Sequence, residues 1–305
     1  MKGSVGEAPS LARGGVQING QINGQINGQI NGLHVGGHGD RHGATLRHGA
    51  KCAVFRLNPD HDPAQLAERY AVKSRMQVRD FFEQQTADEI FDILRAQTPW
   101  GMCFNSGERV VELSPEQLAA LSPADQQQIG QQVAEGARNG YQFLYHYFPL
   151  MASYFNPAVG EVPLFRVFEF INSPPVLDFL RTLTGHHGAV WADAHATLYA
   201  AGNFLKYHTD ETPTQRRMAA YVLNFTPGWG RDWGGFLQFF GPDYDVEQAY
   251  RPLFNALNIF SVPSDHSVSM VSTYVQSHRI SITGWLREDE PPRPIGDRSA
   301  FGARG

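Results

Sequence analysis

Apolar and polar positions change their rhythm once along this chain, near Val190. Before that point most apolar runs repeat at three- and four-residue intervals, and after it they alternate in twos. Leu66 and Tyr70 in HDPAQLAERYAVKS predict a helix within 61–74, opening after a proline, and MQVRDFF (76–82) alternates as a strand. Thr86-Ala-Asp-Glu89 has the form of a capping box. A helix is therefore predicted with Thr86 as N-cap, the stripe Ile90, Ile93, Leu94, and an end near Thr98-Pro99. WGMCF (100–104) and RVVEL (109–113) read as short strands around an Asn105-Ser106-Gly107 turn. Ser114-Pro115 and Ser122-Pro123 each open a helix, the second stopping at Asn139-Gly140. YQFLYHYFPL (141–150) reads as a buried aromatic strand, with a substrate-facing aromatic surface as the alternative. Residues 164–171 and 174–184 read as two helices separated by Ser173-Pro174-Pro175.

Beyond Val190, the segments VWADAHATLYA, NFLKYH, RRMAAYVLNF, GGFLQFF, FNALNIFSV, SVSMVS and RISITGWL make about seven strands broken by Gly, Pro and Asp turns. Many short strands in one block predict a jelly roll or sandwich. The chain thus divides into a low-complexity tail (1–50), a helical and mixed region (51–189), a β core (190–290) and a loose, Pro-, Arg- and Gly-rich end (291–305). In the tail, QING occurs four times from Gln17 to Gly32. So little apolar surface cannot offset ordering entropy, so disorder is expected. His34, His38, His42 and His48 follow in a Gly-rich stretch with nothing to fix their geometry.

Composition adds few constraints. A chain of 305 residues, 42% hydrophobic, suffices for one large core with or without an appended subdomain. A net charge of −5 gives no reason to expect nucleic acid as a partner. Cys52 and Cys103 are the only cysteines, so a disulfide framework is not expected and a reducing compartment is. The first residues have no apolar secretory core and no run of 18 apolar residues occurs. The expectation is a cytoplasmic protein without a membrane segment.

The chemistry concentrates between Phe204 and Trp285. His208 and Asp210 form an HxD pair, His266 follows an apolar strand, and Arg279 and Ser281 stand two apart on another. Two imidazoles and one carboxylate on one face of an octahedron suit Fe(II) and leave adjacent positions open. Residues two apart share a strand face, so His208 and Asp210 are expected to reach one metal together. By the same rule Arg279 and Ser281 are expected to grip one carboxylate, the Arg by a forked ion pair. Other histidines compete as ligands. His278 should face away from Arg279, and His186, His187 and His195 read more simply as turn or core residues.

The ordered set Tyr199–Gly202, His208-Thr-Asp210, Arg216-Arg217, Trp229, Gly234-Gly235-Phe-Leu237, His266 and Arg279-Ile-Ser281 resembles the Fe(II)/2-oxoglutarate-dependent dioxygenases, in their prolyl 4-hydroxylase-like branch. The resemblance covers roughly residues 190 to 288. It implies a mainly β fold with α, a double-stranded β-helix with the N-terminal helices packed on one sheet. It also implies Fe(II) on His208, Asp210 and His266, 2-oxoglutarate on Arg279, Ser281 and Tyr199, O₂ as oxidant and ascorbate as a candidate reductant. The implied reaction is hydroxylation of an aliphatic carbon, in a prolyl or other residue of a protein or in a small molecule.

Two departures stand out. Arg279 follows His266 by 13 positions, a longer interval than is usual in the family, which predicts a longer turn around Ser272–Ser277. Asn224 stands where relatives often place a tyrosine that helps hold the co-substrate carboxylate. Two other classes share such a cavity: a non-catalytic jelly-roll binding module and a cupin-type metal isomerase or lyase. The first would have lost part of the ligand set, and the second needs no carboxylate-gripping arginine. Arg216 and Arg217 read as solvated charges, and Trp229 and Trp233 as either a cover over the site or loop anchors. Substrate identity and oligomeric state are not encoded in these motifs.

Overall fold

In the computed structural model, which describes residues 54–296 and 298, strand β13 (Arg279–Arg287) is buried on both sides. Ile280, Ile282 and Leu286 point one way, into a large apolar core. Arg279, Ser281, Thr283 and Trp285 point the other way, as a period of two requires. The tail expected over 1–50 lies outside the described residues, as does Cys52.

Around β13 the sheet runs β1 (Arg75–Arg79), β11 (Phe254–Ser261), β8 (Arg217–Phe225), β13, β6 (His195–Tyr199), β4 (Phe143–Phe148), β7 (Phe204–His208), β12 (His266–Val268), β9 (Leu237–Phe240), β10 (Val246–Tyr250). A hairpin of β2 (Gly101–Ser106) and β3 (Arg109–Leu113) adds to β4, and the short β5 (Trp191–Ala192) adds to β13. Every named pairing among the described residues is antiparallel. The two ends of the order come back together. Arg75 Nε donates to Gln248 Oε1 (3.0 Å) and Gln77 Nε2 to the Arg251 carbonyl (3.1 Å), so side chains bridge β1 to the β10 end. The result is a nearly closed jelly roll, the double-stranded β-helix. Strands β1 and β4 come from the first half of the chain, so the change of rhythm near Val190 marks no boundary in space.

Helices α1 (Pro63–Ala71), α2 (Gln84–Ala96), α5 (Leu150–Phe155), α6 (Leu164–Ile171) and α7 (Pro174–Thr184) cover one flank. Ile90, Leu94, Leu150, Leu164, Phe168 and Leu183 from these helices join Phe225, Leu257 and Ile282 in one core. Each such side chain contributes about 1.5–3 kcal/mol on burial. On the opposite flank, α3 (Pro115–Ala119) and α4 (Pro123–Asn139) open on the expected Ser-Pro caps, both as capping boxes. Phe104, Val133 and Phe204 form a small buried cluster between them and the sheet. Among the described residues no helix is long and apolar enough to cross a membrane.

Several local expectations change. Thr86 is not the N-cap of α2; that place is Glu83's, and Thr86 lies inside the helix with 3% exposure. Its hydroxyl accepts the Arg56 amide at 2.9 Å, a tertiary partner outside its own turn. The short α5 and the exposed strand β10 were not expected. The strand expected over SVSMVS shortens to His266–Val268, and the chain then loops to β13. The described part of the C-terminus is held rather than loose. Ile295 packs on the main core, Gly296 N donates to the Tyr154 hydroxyl (3.0 Å), and Arg298 Nη1 pairs with Glu161 (2.7 Å).

Candidate metal centre

His208 reaches the barrel interior because β7 is irregular. Opposite β12, Leu205 pairs with Val268 and His208 with His266, so β7 takes three steps where β12 takes two. This β-bulge decides the side on which His208 lies. Phe204 and Lys206 point outward, toward α4, and strict alternation would send His208 after them. The extra residue turns it inward instead, as bulges beside active sites do. His266 begins β12, as expected, and the two rings lie 4.1 Å apart between centroids.

Asp210 does not share a strand face with His208, contrary to the expectation from spacing. It follows the end of β7 in a left-handed turn, φ +64°. Its carboxylate swings back between the imidazoles. Oδ1 lies 3.1 Å from His208 Nε2 and Oδ2 lies 3.3 Å from His266 Nε2. A ligand atom from each residue falls within 4.8 Å of the others.

The other ring nitrogens explain why this set suits a metal. His208 Nδ1 donates to the Lys206 carbonyl (2.9 Å) and His266 Nδ1 to the Ser264 carbonyl (2.7 Å). Both Nδ1 atoms are then protonated, which leaves Nε2 of each ring facing Asp210, a donor to the carboxylate without a metal and a lone pair toward one. Burial alone would raise the Asp210 pKa, but the hydrogen bonds from His208 and His266 outweigh it and hold the carboxyl well below its usual range. Two neutral nitrogens and one carboxylate make the donor set that Fe(II) takes.

Arg279 and Ser281 share the inner face of β13, as their spacing predicts. Arg279 is 2% exposed, and its Nε makes no hydrogen bond. It sits 4.8 Å over the Tyr199 ring, which lies directly opposite on β6 and stacks on Tyr145 at 5.0 Å. Burial lowers the Arg279 pKa and the Tyr199 phenol opposes the shift. A buried cation with an open donor requires an anion, and a dicarboxylic co-substrate fits that need. Ser281 Oγ shares a 2.7 Å hydrogen bond with Thr197 Oγ1. Asn224 stands across from Ser281 on β8, fully buried, with Oδ1 unpartnered. His278, next in the chain, lines the outer flank as expected.

His195 and Arg217, which the sequence reads as bystanders, border the ligand set, as do Trp285 and Tyr141. His195 shares the inner face of β6 with Thr197 and Tyr199, close enough to Asp210 for its charge to be felt. Burial nonetheless drives its pKa down to about 4. Strand parity with Tyr199 is the sequence signal that marks it. Arg217 separates from its neighbour: Arg216 pairs with Glu288 at the surface, while Arg217 Nη1 donates to the Asp210 carbonyl at 3.1 Å. Its guanidinium lies 3.6 Å over the Trp285 ring. Trp285 Nε1 is buried without a partner. Tyr141, 48% exposed, sets its ring 5.6 Å from His208. Trp229 is a loop anchor, 4% exposed with Nε1 donating to the Gly234 carbonyl (2.8 Å). Gly234 has φ +69°, and a Cβ there would lie 1.9 Å from the Met270 carbonyl oxygen, so only glycine closes this loop.

Residues 194–287 match the 2OG-Fe(II) oxygenase superfamily. The mouse protein "Prolyl 3-hydroxylase OGFOD1" is 31% identical over 109 residues, which cover 33% of this chain and 19% of that protein. The chain thus spans about a fifth of the length of this curated relative. Among solved structures, a Pseudomonas putida prolyl-4-hydroxylase is 19% identical, with TM-score 0.47, covering 74% of this chain and 99% of that one. A Burkholderia pseudomallei oxidoreductase of the 2OG-Fe(II) oxygenase family is 10% identical, with TM-score 0.49, covering 78% and 95%. Residues 194–287, which carry His208, Asp210 and His266 together with Arg279, therefore belong to the 2OG-Fe(II) oxygenase superfamily.

Proposed function

We propose that this chain is an Fe(II)- and 2-oxoglutarate-dependent hydroxylase acting on an aliphatic carbon of a protein or peptide, with a prolyl residue as the favoured target. The observation that carries the reading is Arg279, a buried cation without a partner at Nε on the inner face of β13, in a chain that also carries a complete His-His-Asp set. Fe(II) with 2-oxoglutarate and dioxygen supplies oxidative hydroxylation. His208, Asp210 and His266 would hold the metal. Lys206 and Ser264 carbonyls keep both imidazoles in the tautomer that offers Nε2. Arg279, with Ser281 and Tyr199 beside it, would orient the co-substrate by its far carboxylate. Arg217 holds the Asp210 turn in place through the carbonyl. Tyr141, Arg217 and Trp285 flank the ligands and would meet the substrate, with the Trp285 Nε1–H free to bond a substrate carbonyl. Apolar walls from Val222, Phe239, Phe260 and Val268 exclude water.

The prolyl target is supported by the segment's likeness to a prolyl 3-hydroxylase. A cytoplasmic, reducing setting is supported by the free, buried thiol of Cys103. Succinate release from 2-oxoglutarate with Fe(II), screened over proline-bearing peptides and free amino acids, tests the reading. Peptide-dependent succinate with a matching mass gain of one oxygen is expected. Tight 2-oxoglutarate binding without succinate under every condition would instead favour the binding module.

A further inference from the structure

On the α3–α4 flank the protein forms a half-open cavity of about 1360 Å³. Met102, Leu118, Ile129, Val133, Leu198 and Phe204 line it. Leu198 and Phe204 precede Tyr199 and Leu205, which point into the barrel, so the cavity lies behind the wall that carries the metal ligands. Helix α4 roofs it with 17 residues yet buries only Gln128 and Val133. An amphipathic helix ordinarily buries a continuous stripe. The volume exceeds the ~300–1,000 Å³ usual for a small-molecule pocket.

The charges around it indicate what it takes. Among the described residues no carboxylate lines it. The Lys206 ammonium is already bound, donating to the Ala137 and Gly140 carbonyls at 2.6 Å each. Burial lowers the pKa of His278 and drives that of His146 down to about 4, so neither ring carries charge near neutral pH. Arg138 is exposed. A cationic head finds no counter-charge inside, the Lys206 ammonium has two of its three N–H groups on carbonyls at one edge, and an apolar, uncharged molecule matches the rest of the lining.

The same lysine reaches the metal centre. Lys206 sits in the bulge that aims His208, and its carbonyl accepts His208 Nδ1–H. Its amide donates to the Gln142 carbonyl (3.0 Å), on the connection leaving α4. The cavity roof and one metal ligand thus share a single residue.

We propose that this cavity is a second ligand site, for a neutral and largely apolar small molecule, and that its occupancy is transmitted to His208 through Lys206. The test uses the full chain and the neutral fluorophore N-phenyl-1-naphthylamine. Its fluorescence should rise saturably. Val133→Trp and Met102→Trp, filling the space from roof and sheet, should each weaken binding by about tenfold or more. Co(II) titration, read by visible absorption, shows that each variant is folded, and either alone suffices if the other is not. Saturating probe should change wild-type Co(II) affinity by about fivefold or more, and Co(II) should change probe affinity by the same factor. Lys206→Met should still bind the probe and lose that change. No saturable rise, or unaltered probe binding in the folded tryptophan variants, overturns the site. Equal Co(II) affinity with and without probe overturns the link, and a shift that survives in Lys206→Met overturns its route.

Discussion

On one side of β13, Ile280, Ile282 and Leu286 meet helices, and nothing polar interrupts them. On the other side, Arg279, Ser281 and Trp285 meet Tyr199, Asn224 and Arg217 across neighbouring strands. There the unpartnered polar atoms accumulate: Arg279 Nε, Asn224 Oδ1, Asn258 Nδ2 and Trp285 Nε1. One face is satisfied as it stands, and the other leaves polar atoms open for the proposed ligand. The difference shows that alternate residues of one strand can serve stability and binding separately. Substitutions on the two faces should therefore have separable effects.

The largest effect is expected from Asp210→Ala. Two imidazoles remain, and the protein should lose stoichiometric metal and all turnover. Metal content after dialysis checks this, and full occupancy would remove Asp210 from the ligand set. Next comes Arg279→Ala, which leaves the co-substrate anion against an apolar wall. Breaking one side of such a pair costs ~2–5 kcal/mol, read as the apparent KM for 2-oxoglutarate at equal metal content. Arg279→Lys should fall between, because it keeps the charge and loses the fork. His278→Ala, on the outer flank, should leave that KM unchanged.

Ile282→Ala probes the opposite face. It should lower stability by about 2–4 kcal/mol in denaturant unfolding through the cavity it leaves. The KM for 2-oxoglutarate in the folded fraction should hold. A large KM change with little loss of stability would show that the two faces are not separable.

The smallest effect is a pH dependence. His146 and His195 are both lowered to about 4 by burial, below their value in the unfolded chain. The unfolded chain therefore binds protons first as the pH falls. Their contribution is fully present above about pH 6.5 and is lost as the pH drops toward 4. His146→Gln should flatten the slope of melting temperature against pH in that window, removing on the order of 1–3 kcal/mol of it. An unchanged slope would mean that His146 is not held neutral by its surroundings.

Much of this was legible before any coordinates. Ligand types at 208, 210 and 266 name a metal by their donor chemistry, and period two placed Arg279 and Ser281 on one face because β13 is regular there. Ser114 and Ser122 announced their helices because a cap bonds its own first turn. The remainder depended on partners far along the chain. The bulge in β7 exists only in register with β12, so alternation alone mis-aims His208. Asp210 reaches the site through a left-handed turn braced by Arg217, which no spacing rule anticipates. Thr86 served Arg56 instead of its own helix, since a distant amide needed an acceptor. The place of β4 between β6 and β7, and the space left under α4, follow from what packs opposite each segment. Local periodicity says which residues share a face; only tertiary pairing decides what that face meets.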